Sequence, residues 1–446
     1  RRPRKRQANS PMGGTDIPTR TTRRPVDSLK ILQCDVCVVG SGAAGLSAAL
    51  EAARAGKRVI LVEAAQSLGG QAVNSIIGTF CGLYSNGPDV TRLTYGVADD
   101  ILRHLHADSA AQDRSARNSI IVQYDEIALA RWIDNAVRDA GITVLLGAVV
   151  RNAHLSGRRI AALDIATKFG DLSVEADGFV DASGDATVAW HAGLTVREPE
   201  TPIFGTQIVL FENFDEAAAN AVDRWEMQGR LTNRADHYGL VRKDGFVFSF
   251  PGHGTALANM THVETPLDAA DYANTVFDGR DQADRLLRFL RDEYPAAYGN
   301  ARIRIYAAPG VRQTRWITGT YSLTAEDVRA GRIFDDTVAR CSWPIELHNN
   351  AAGAYWEELG DNHVHTVPLG SLLHRDADNL AAAGRCIDGD TVGLSSVRVM
   401  GPCLAMGAAA AHALILAGSG SVHQIDIGAL RKKISDNLDR NDPYRA

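Results

Sequence analysis

The sequence predicts an α/β protein with a mostly parallel sheet, helices on both faces of that sheet, and an inserted mixed α+β domain. Strand-like runs alternate with amphipathic helical runs between residues 31 and 193, which is typical of a parallel sheet covered by helices. The pattern becomes mixed between residues 194 and 365, where a helix is predicted to open at Thr324 with Asp327, three residues later, as its cap partner. A strand-like run and an Ala-rich helix return after residue 366, so we expect the chain to re-enter the first sheet.

Length and composition agree with a large globular chain of two or three structural units. The chain has 446 residues, of which 45% are hydrophobic and 22% charged, and this excludes collagen, coiled coils and wholesale disorder. The predicted segments are a basic tail (1–30), the first part of the sheet domain (31–193), a substrate-facing inserted domain (194–365), the second part of the sheet domain (366–425) and a C-terminal helix or tail (426–446).

Charge is distributed unevenly along the chain. Residues 1–30 contain nine Lys or Arg and two Asp, so the rest of the chain is more acidic than the net charge of −6 indicates. The tail is rich in Pro, Thr and Gly, and we interpret it as disordered rather than as a nucleic-acid anchor. We expect a small-molecule partner rather than nucleic acid, and the sequence leaves homo-oligomerisation open.

Cysteine usage and hydropathy indicate the compartment. Six scattered cysteines do not form a disulfide framework in a chain of this length, which favours the cytoplasm. Cys34 and Cys37 form a CxxC, but they lie in an apolar strand-like run and are interpreted as core residues. The apolar segment 404–417 has 14 residues, too few to span a bilayer, so no membrane span is predicted.

The first strand, turn and helix contain the run VVGSGAAGLSAALEAARAG. Gly40 permits a tight turn, Gly42 lets the backbone approach a pyrophosphate, and Gly45 lets the helix pack close to the strand. The helix start supplies oriented N–H groups and a positive dipole end to an anion. The context predicts a Rossmann-like dinucleotide-binding turn formed by Gly40, Gly42, Ala43, Ala44 and Gly45.

Glu63 ends the next strand, 23 residues after Gly40. A carboxylate at this position accepts hydrogen bonds from ribose hydroxyls and repels a ribose 2′-phosphate, which favours FAD or NAD over NADP. No second strand-anchored Gly-x-Gly-x-x-Gly is found in the sequence, so a separate NAD(P)H domain is not expected.

From about residue 34 to 417 the chain resembles the FAD-dependent oxidoreductase family, distant kin of the fumarate reductase and aspartate oxidase flavoproteins. The resemblance rests on VVGSGAAGLSAALEAARAGKRVILVE, VDASGDATVA, GVRQTRWITGTYSLTAEDV and NLAAAGRCIDGDTVGLSSVRVMGPCLAMGAAAA, in that order. The loop Gly69-Gly70-Gln71 resembles the double-glycine extension of glutathione-reductase-like flavoproteins. The resemblance implies FAD as the cofactor.

The same resemblance implies further cofactor contacts. Gly184 and Asp185 would close the third strand beside the cofactor, and Gly384, Arg385 and Asp388 would lie along its pyrophosphate and ribityl chain. The helix start at Met400-Gly401-Pro402-Cys403 would face the flavin pyrimidine ring, which places Gly401 and Cys403 in the site. A positive dipole end there stabilises negative charge on the reduced ring.

Candidate catalytic residues lie in two family-like segments. Arg312 and Arg315 belong to GVRQTR, and we predict Arg315 as an anion clamp, although an arginine in such a run is as often solvated. His363 and His365 lie near the point where the chain returns to the cofactor, as does His348, and we predict His365 as the proton acceptor. A core histidine is the competing interpretation for each, and no metal set is completed.

The sequence therefore predicts an FAD-dependent oxidoreductase that dehydrogenates a small or medium organic substrate. The hydride would pass to flavin N5, and the electrons would go on to oxygen or another acceptor that the sequence does not identify. Two alternatives stay open. One is an RNA-modifying flavoprotein anchored by the basic tail, and the other is a non-catalytic FAD-binding sensor.

Overall fold

The computed structural model describes residues 19–23, 29–116, 118–250 and 252–444. Most of the predicted basic tail lies outside the described residues.

The strands and helices follow one another in chain order. The strands are β1 Lys30–Val39, β2 Val59–Glu63, β3 Thr79–Phe80, β4 Ala111–Ala116, β5 Ser119–Tyr124, β6 Thr143–Leu146, β7 Ala148–Ser156, β8 Arg159–Thr167, β9 Leu172–Asp181, β10 Val196–Arg197, β11 Val209–Glu212, β12 Phe246–Phe250, β13 Thr255–Asn259, β14 Arg302–Tyr306, β15 Trp316–Ile317, β16 Thr337–Cys341, β17 Ile345–Asn350, β18 Gly353–Glu357, β19 His365–Pro368 and β20 Leu380–Ala382. The helices are α1 Ala43–Arg54, α2 Gly70–Asn74, α3 Val97–Ala107, α4 Glu126–Asp139, α5 Thr187–His191, α6 Glu216–Asn220, α7 Arg224–Tyr238, α8 Ala269–Glu293, α9 Pro295–Tyr298, α10 Ala325–Arg329, α11 Thr391–Val397, α12 Met400–Ala417, α13 Ile427–Lys433 and α14 Ser435–Asp439.

The main sheet of the protein is centred on β1. β1 pairs in parallel with β2 on one side and with β9 on the other, so that Val38 lies beside Leu61 and Val180. β6 extends the sheet in parallel beyond β2. The first half of β9 pairs antiparallel with β8, and its last residues pair in parallel with β20. The return of the chain to the first sheet is thereby confirmed.

One face of this sheet is covered by α1 and α12, which pack closely against each other. Small residues allow the approach, because a Cβ on Gly407 of α12 would overlap the carbonyl oxygen of Ala44 in α1. α12 has 18 residues, four more than the apolar segment predicted from the sequence, and it is long and apolar enough to cross a membrane. However, 78% of it is buried inside the protein, as in a core helix.

The other face of the sheet packs against the β7–β8 hairpin and the short α5. Cys34 and Cys37 are buried in this layer with Val188 and Ala189 of α5. The expected helices on both faces are therefore present, although the hairpin covers much of the second face. Packing also accounts for the two cysteines of the CxxC.

The inserted segment forms an antiparallel sheet in the order β12-β13-β11-β14. α7, α8 and α9 pack on it around a core that includes Phe211, Leu231 and Phe289. Farther along the chain, α10 begins at the predicted cap: the Thr324 hydroxyl accepts the Asp327 N–H at 3.1 Å, and the Asp327 carboxylate accepts the Thr324 N–H at 3.0 Å.

Candidate active site

A cleft of about 1360 Å³ lies where the carboxyl ends of the parallel strands face the inserted sheet. Gly40, Glu63 and Gly184 line it from the ends of β1, β2 and β9, and Arg242 and Phe248 line it from the opposite side. Ligands of open α/β sheets bind at this edge, because the strand-to-helix turns leave backbone groups free there. The cleft is therefore the candidate site for both cofactor and substrate.

The turn between β1 and α1 is shaped by its three glycines. Gly40 has a φ of +96°, and a Cβ there would overlap the Ala182 carbonyl. A Cβ on Gly45 would overlap the Gly40 carbonyl, so this glycine permits the close packing of α1 on the turn. A Cβ on Gly42 meets no protein atom within 4 Å and would project into open space at the cleft. Gly42 is thus the position where a ligand can approach the backbone.

The Glu63 carboxylate ties this turn to the next loop. It accepts the Ser41 N–H at 2.8 Å and the Ser41 hydroxyl at 2.6 Å, and it accepts the Ala65 N–H at 2.8 Å. The Ser41 oxygen in turn accepts the Gly69 N–H at 3.1 Å. A carboxylate offers about four lone-pair sites. Glu63 can therefore hold the loops and still accept a further hydroxyl from the cleft.

The double-glycine loop contacts both ends of the site. Gly70 has a φ of +52°, and a Cβ on it would approach Gly42 Cα to 2.6 Å. The Gln71 side chain donates to the Val311 carbonyl at 2.9 Å and accepts the Val311 N–H at 3.1 Å. This pair of bonds fixes the segment that carries Arg312. Gln71 therefore links the cofactor turn to the substrate side of the cleft.

The segment after β9 supplies a third wall. Gly184 has a φ of +84°, its N–H contacts Cys386 Sγ at 3.0 Å, and Asp185 accepts the Thr314 hydroxyl. Arg385 lies 3.7 Å from the Asp185 carboxylate. Its Nη1 atom is buried and has no hydrogen-bond partner in the described chain. This free donor at the cleft suits an anionic group of a ligand.

The start of α12 forms the floor of the cleft. Val399, Met400 and Cys403 line it, whereas Gly401 packs against Gly82 and donates its N–H to the Cys81 carbonyl at 2.9 Å. Burial raises the pKa of the Cys403 thiol to about 12, so it faces the cleft as a neutral group.

These observations fit a bound dinucleotide. Gly42 leaves room for a pyrophosphate at the start of α1, Arg385 offers an unpaired guanidinium nitrogen, and Glu63 stands where a ribose would need an acceptor. Gly40, Ala43, Ala44 and Gly384 complete the lining on this side.

Three guanidinium groups, which we call the arginine cluster, lie at the substrate side of the cleft: Arg242, Arg312 and Arg398. Arg242 pairs with Asp244, while Arg312 donates to the Phe204 carbonyl at 2.7 Å and Arg398 to the Glu346 carbonyl at 3.1 Å. Within the described residues, neither Arg312 nor Arg398 has a carboxylate within ion-pair distance. Burial, together with the Arg242 and Arg398 charges, holds the pKa of Arg312 well below its usual range.

Several predicted site residues do not line the cleft. Arg315 stacks over Trp190 at 4.4 Å and lies 3.7 Å from Glu198. His365 is buried in β19, where its Nε2 atom lies 3.0 Å from the Ser396 hydroxyl, and burial lowers its pKa to about 3. His363 lies beside His365, with ring centroids 5.3 Å apart. The geometry gives Arg312, and not these three side chains, access to the cleft.

Four of the predicted cofactor contacts, including Gly401 at the start of α12, act behind the cleft wall. Asp388 accepts the Gly319 N–H at 2.8 Å and pairs with Arg197 at 3.0 Å, which fixes a turn. Gly45 and Gly69 shape their loops without lining the cleft. Among the remaining predicted positions, Gly70, Gln71, Gly184, Asp185, Arg385 and Cys403 lie at the cleft.

Several residues that line the cleft were not predicted from the sequence, among them Arg242, Trp343, Glu346 and Arg398. Glu346 and His348 alternate along β17, so their carboxylate and imidazole point to the same side of the strand. This spacing of two residues from His348 could have identified Glu346 as a candidate site residue from the sequence. Arg242 precedes β12 in the inserted domain, and nothing in its local sequence relates it to Arg398.

Comparisons with known proteins identify the family of the chain. A sequence model of the family described as FAD dependent oxidoreductase matches residues 35–434. Gamma-glutamylputrescine oxidoreductase of Escherichia coli (strain K12) is 42% identical over 81 residues, which cover 16% of this chain and 17% of that protein. The match thus spans about a sixth of the length of that curated relative.

Solved structures also resemble the chain. A geranylgeranyl bacteriochlorophyll reductase-like protein from Thermoplasma acidophilum has 15% identity and a TM-score of 0.48, over 91% of this chain and 84% of that chain. The anhydrotetracycline hydroxylase OxyS from Streptomyces rimosus has 10% identity and a TM-score of 0.43, over 91% and 66%.

The family match covers the glycine turn, the inserted domain and the return of the chain to the first sheet. It includes every cleft-lining residue discussed above. The chain therefore belongs to the FAD dependent oxidoreductase family, and its cofactor is FAD.

Proposed function

We propose that this oxidoreductase dehydrogenates a small or medium organic substrate that carries an anionic group, with electrons passing on to oxygen or another acceptor. When bound, FAD would supply the two-electron acceptor for the substrate hydride. The protein then needs to bind the substrate, orient its C–H bond and accept a proton.

The position of the Arg312 guanidinium at the cleft is the observation that supports this proposal most strongly. Its guanidinium is held at the cleft by one bond to a backbone carbonyl, without a carboxylate partner among the described residues. The nearby Arg242 and Arg398 add positive charge, and because like charges repel one another, a bound anion would stabilise the cluster. A carboxylate bound there could form two parallel bonds with the planar guanidinium, and this would fix the orientation of the substrate.

Aromatic side chains form the rest of this end of the cleft. Phe246, Phe248, Trp343 and Trp356 line it beside the arginine cluster. Their apolar surfaces displace water, and charge interactions become stronger where water is excluded. This combination of an apolar wall and a few converging polar groups is typical of small-molecule sites.

The test is an anaerobic screen for loss of the flavin absorbance band in FAD-loaded protein. The library contains organic carboxylates, each with its uncharged carboxamide. It includes gamma-glutamylputrescine, the compound in the name of the curated relative. We expect bleaching by a carboxylate and not by its carboxamide. If dithionite bleaches the flavin and no organic compound does, the dehydrogenase proposal is wrong. Equal bleaching by carboxylate and carboxamide would contradict the anion-binding part alone.

We also propose that the protein works in the cytoplasm. All six cysteines are free in the structure, and five of them are buried. Such thiols suit a reducing compartment.

A further inference from the structure

A chain of hydrogen-bonding groups leads from the cleft into the protein. His348 Nε2 lies 2.9 Å from Glu346 Oε1, and His348 Nδ1 lies 2.9 Å from His262 Nε2. His262 Nδ1 lies 2.9 Å from the Ala351 carbonyl oxygen. Glu346 lines the cleft and has 23% of its side chain exposed, whereas His348 has 0%. Only the carboxylate end of this chain meets the ligand space.

The carbonyl fixes the position of the protons along the chain. A carbonyl oxygen cannot donate, so His262 must carry its proton on Nδ1. Neutral His262 then accepts at Nε2, and the proton of that contact belongs to His348 Nδ1. Neutral His348 therefore presents a lone pair at Nε2 to the carboxylate of Glu346. The chain has three contacts, but two neutral imidazoles supply protons for only two of them.

The surrounding charges favour the state that lacks the third proton. Burial raises the pKa of Glu346, whereas a hydrogen bond donated by His348 and the charges of Arg398 and Arg312 lower it below its usual range. The two arginine charges act whether or not the His348 contact holds a proton. Burial and the Arg312 charge hold the pKa of His348 well below its ordinary value, against the opposing effect of Glu346. Arg242 acts on His348 in the same sense as Arg312.

We propose that Glu346 is the catalytic proton acceptor of this site, and that His348 and His262 are positioning residues that complete its hydrogen-bonded chain when the proton arrives. The inference rests on the proposed function, because dehydrogenation releases the proton that Glu346 receives. The Arg398 bond to the Glu346 carbonyl connects this residue to the segment that leads into α12 at the cleft floor.

The proposed step balances in atoms and electrons. The substrate C–H bond breaks and its hydrogen leaves with the electron pair for FAD. The neighbouring N–H or O–H bond breaks and its proton passes to the Glu346–His348 contact. A C=N or C=O bond forms, so the substrate is oxidised by two electrons and FAD is reduced by two.

Glu346→Gln removes the carboxylate that would accept the proton but keeps the size and shape of the side chain. The amide oxygen can keep the bond that Glu346 Oε2 accepts from Trp343 Nε1 at 3.0 Å, and the amide N–H can donate to His348 Nε2. This variant therefore imitates the protonated chain and cannot take up a proton. We expect the same FAD content and anaerobic flavin reduction slowed about 100-fold or more, with a flattened pH profile. Glu357→Gln on the adjacent β18, where the carboxylate pairs with Arg329 on the surface, is the matched control.

Nitrogen NMR of the histidine rings tests the same proposal without a substrate. In FAD-loaded wild type at about pH 8, above the ordinary histidine pKa of about 6.5, we expect His262 and His348 to be protonated on Nδ1 and unprotonated on Nε2. His262→Gln and His348→Gln assign the signals. A proton on His348 Nε2 in this state would overturn the proposal, because the acceptor would already be filled.

The two measurements separate this inference from the proposed function. If no compound bleaches the flavin, the dehydrogenase proposal fails, while the ring-nitrogen spectrum still decides whether the chain lacks its third proton. If a substrate is found and Glu346→Gln reduces FAD at the wild-type rate, Glu346 is not the acceptor. If Glu346→Gln does not fold, the wild-type spectrum decides. Restoration of the rate of Glu346→Ala by added formate would support a base role over a structural one.

Discussion

Gly42 and Gly40 differ in what an added side chain would meet, and this difference gives a test at the residue scale. A side chain at Gly42 would enter open space at the cleft, and the backbone there has a φ of −66° that any residue can adopt. We therefore expect Gly42→Val to fold and to lose at least about tenfold in bound FAD, since the new methyl groups block the pyrophosphate. FAD released by heat and measured per protein checks this.

Gly360→Val is the matched control for that substitution. Gly360 also has open space around its Cβ position, but it does not line the cleft. It should retain the FAD content of the wild type. A folded Gly42→Val protein that is fully loaded with FAD would contradict the assignment of this turn to the pyrophosphate.

Arg312 belongs to the same scale. Arg312→Lys keeps a positive charge but loses the planar fork that can hold a carboxylate by two bonds. We expect flavin reduction by a carboxylate substrate to slow by about tenfold or more, because a charged hydrogen bond contributes roughly 1.5–3 kcal/mol. Arg302→Lys, at an exposed pair with Glu212, serves as the control. Equal rates in stopped-flow measurements for Arg312→Lys and wild type would remove Arg312 from substrate binding.

At the scale of elements, the contact between α1 and α12 positions the cofactor turn. Gly407→Ala places a Cβ against the Ala44 carbonyl, and since backbone cannot yield easily, we expect a loss of about 1–3 kcal/mol in the free energy of unfolding. Gly229→Ala, within α7, meets nothing within 4 Å and should stabilise by up to about 1 kcal/mol. Urea unfolding of both variants measures this contrast. An unchanged or increased free energy of unfolding for Gly407→Ala would show that α1 and α12 do not pack closely at this position.

At the scale of elements, features that depend on neighbouring residues could be predicted from the sequence, whereas side-chain directions outside regular elements could not. The glycine turn, the Thr324 cap and the return at β20 depend on neighbouring residues or on one repeating period, and all three were predicted. Arg312 and Arg315 lie three residues apart in one irregular segment, and only the structure shows that Arg312 alone faces the cleft. The direction of a side chain outside a regular element is set by tertiary contacts, here the bonds between Gln71 and Val311.

On the scale of the whole molecule, the substrate side is assembled from distant segments. Arg242 precedes β12 and His262 follows β13 of the inserted sheet, whereas Arg312 lies after β14 and Glu346 lies on β17. No local pattern relates these positions, because chain folding alone brings them together. Glu346 was missed in the sequence, although His348, two residues away on the same face of the strand, was noted as a titrating group.

Buried histidines also give the whole molecule a pH dependence. Burial lowers the pKa of His365 to about 3 and that of His262 and His348 below the ordinary value. Below about pH 6.5 the unfolded chain binds protons at these positions and the folded chain does not. The contribution of the buried histidines to the free energy of unfolding is therefore complete above that pH and is lost as the pH falls. Each histidine contributes a slope of about 1.4 kcal/mol per pH unit.

His365→Gln isolates one of these contributions. The glutamine can keep a bond to the Ser396 hydroxyl, and it does not titrate. We expect the fall in unfolding free energy between about pH 6 and pH 5 to be shallower in the variant by about 1.4 kcal/mol per pH unit. Equal slopes for variant and wild type, measured by urea unfolding at each pH, would show that His365 takes up a proton in the folded state.

The most direct test of the whole account is an anaerobic titration of FAD-loaded protein with the carboxylate substrate from the screen, followed by mass analysis of the product. We expect the flavin band to be fully lost at one equivalent of substrate per FAD, and we expect the product to have lost two hydrogen atoms. Loss of the band without removal of hydrogen from the compound, or no loss with any organic substrate, would contradict it.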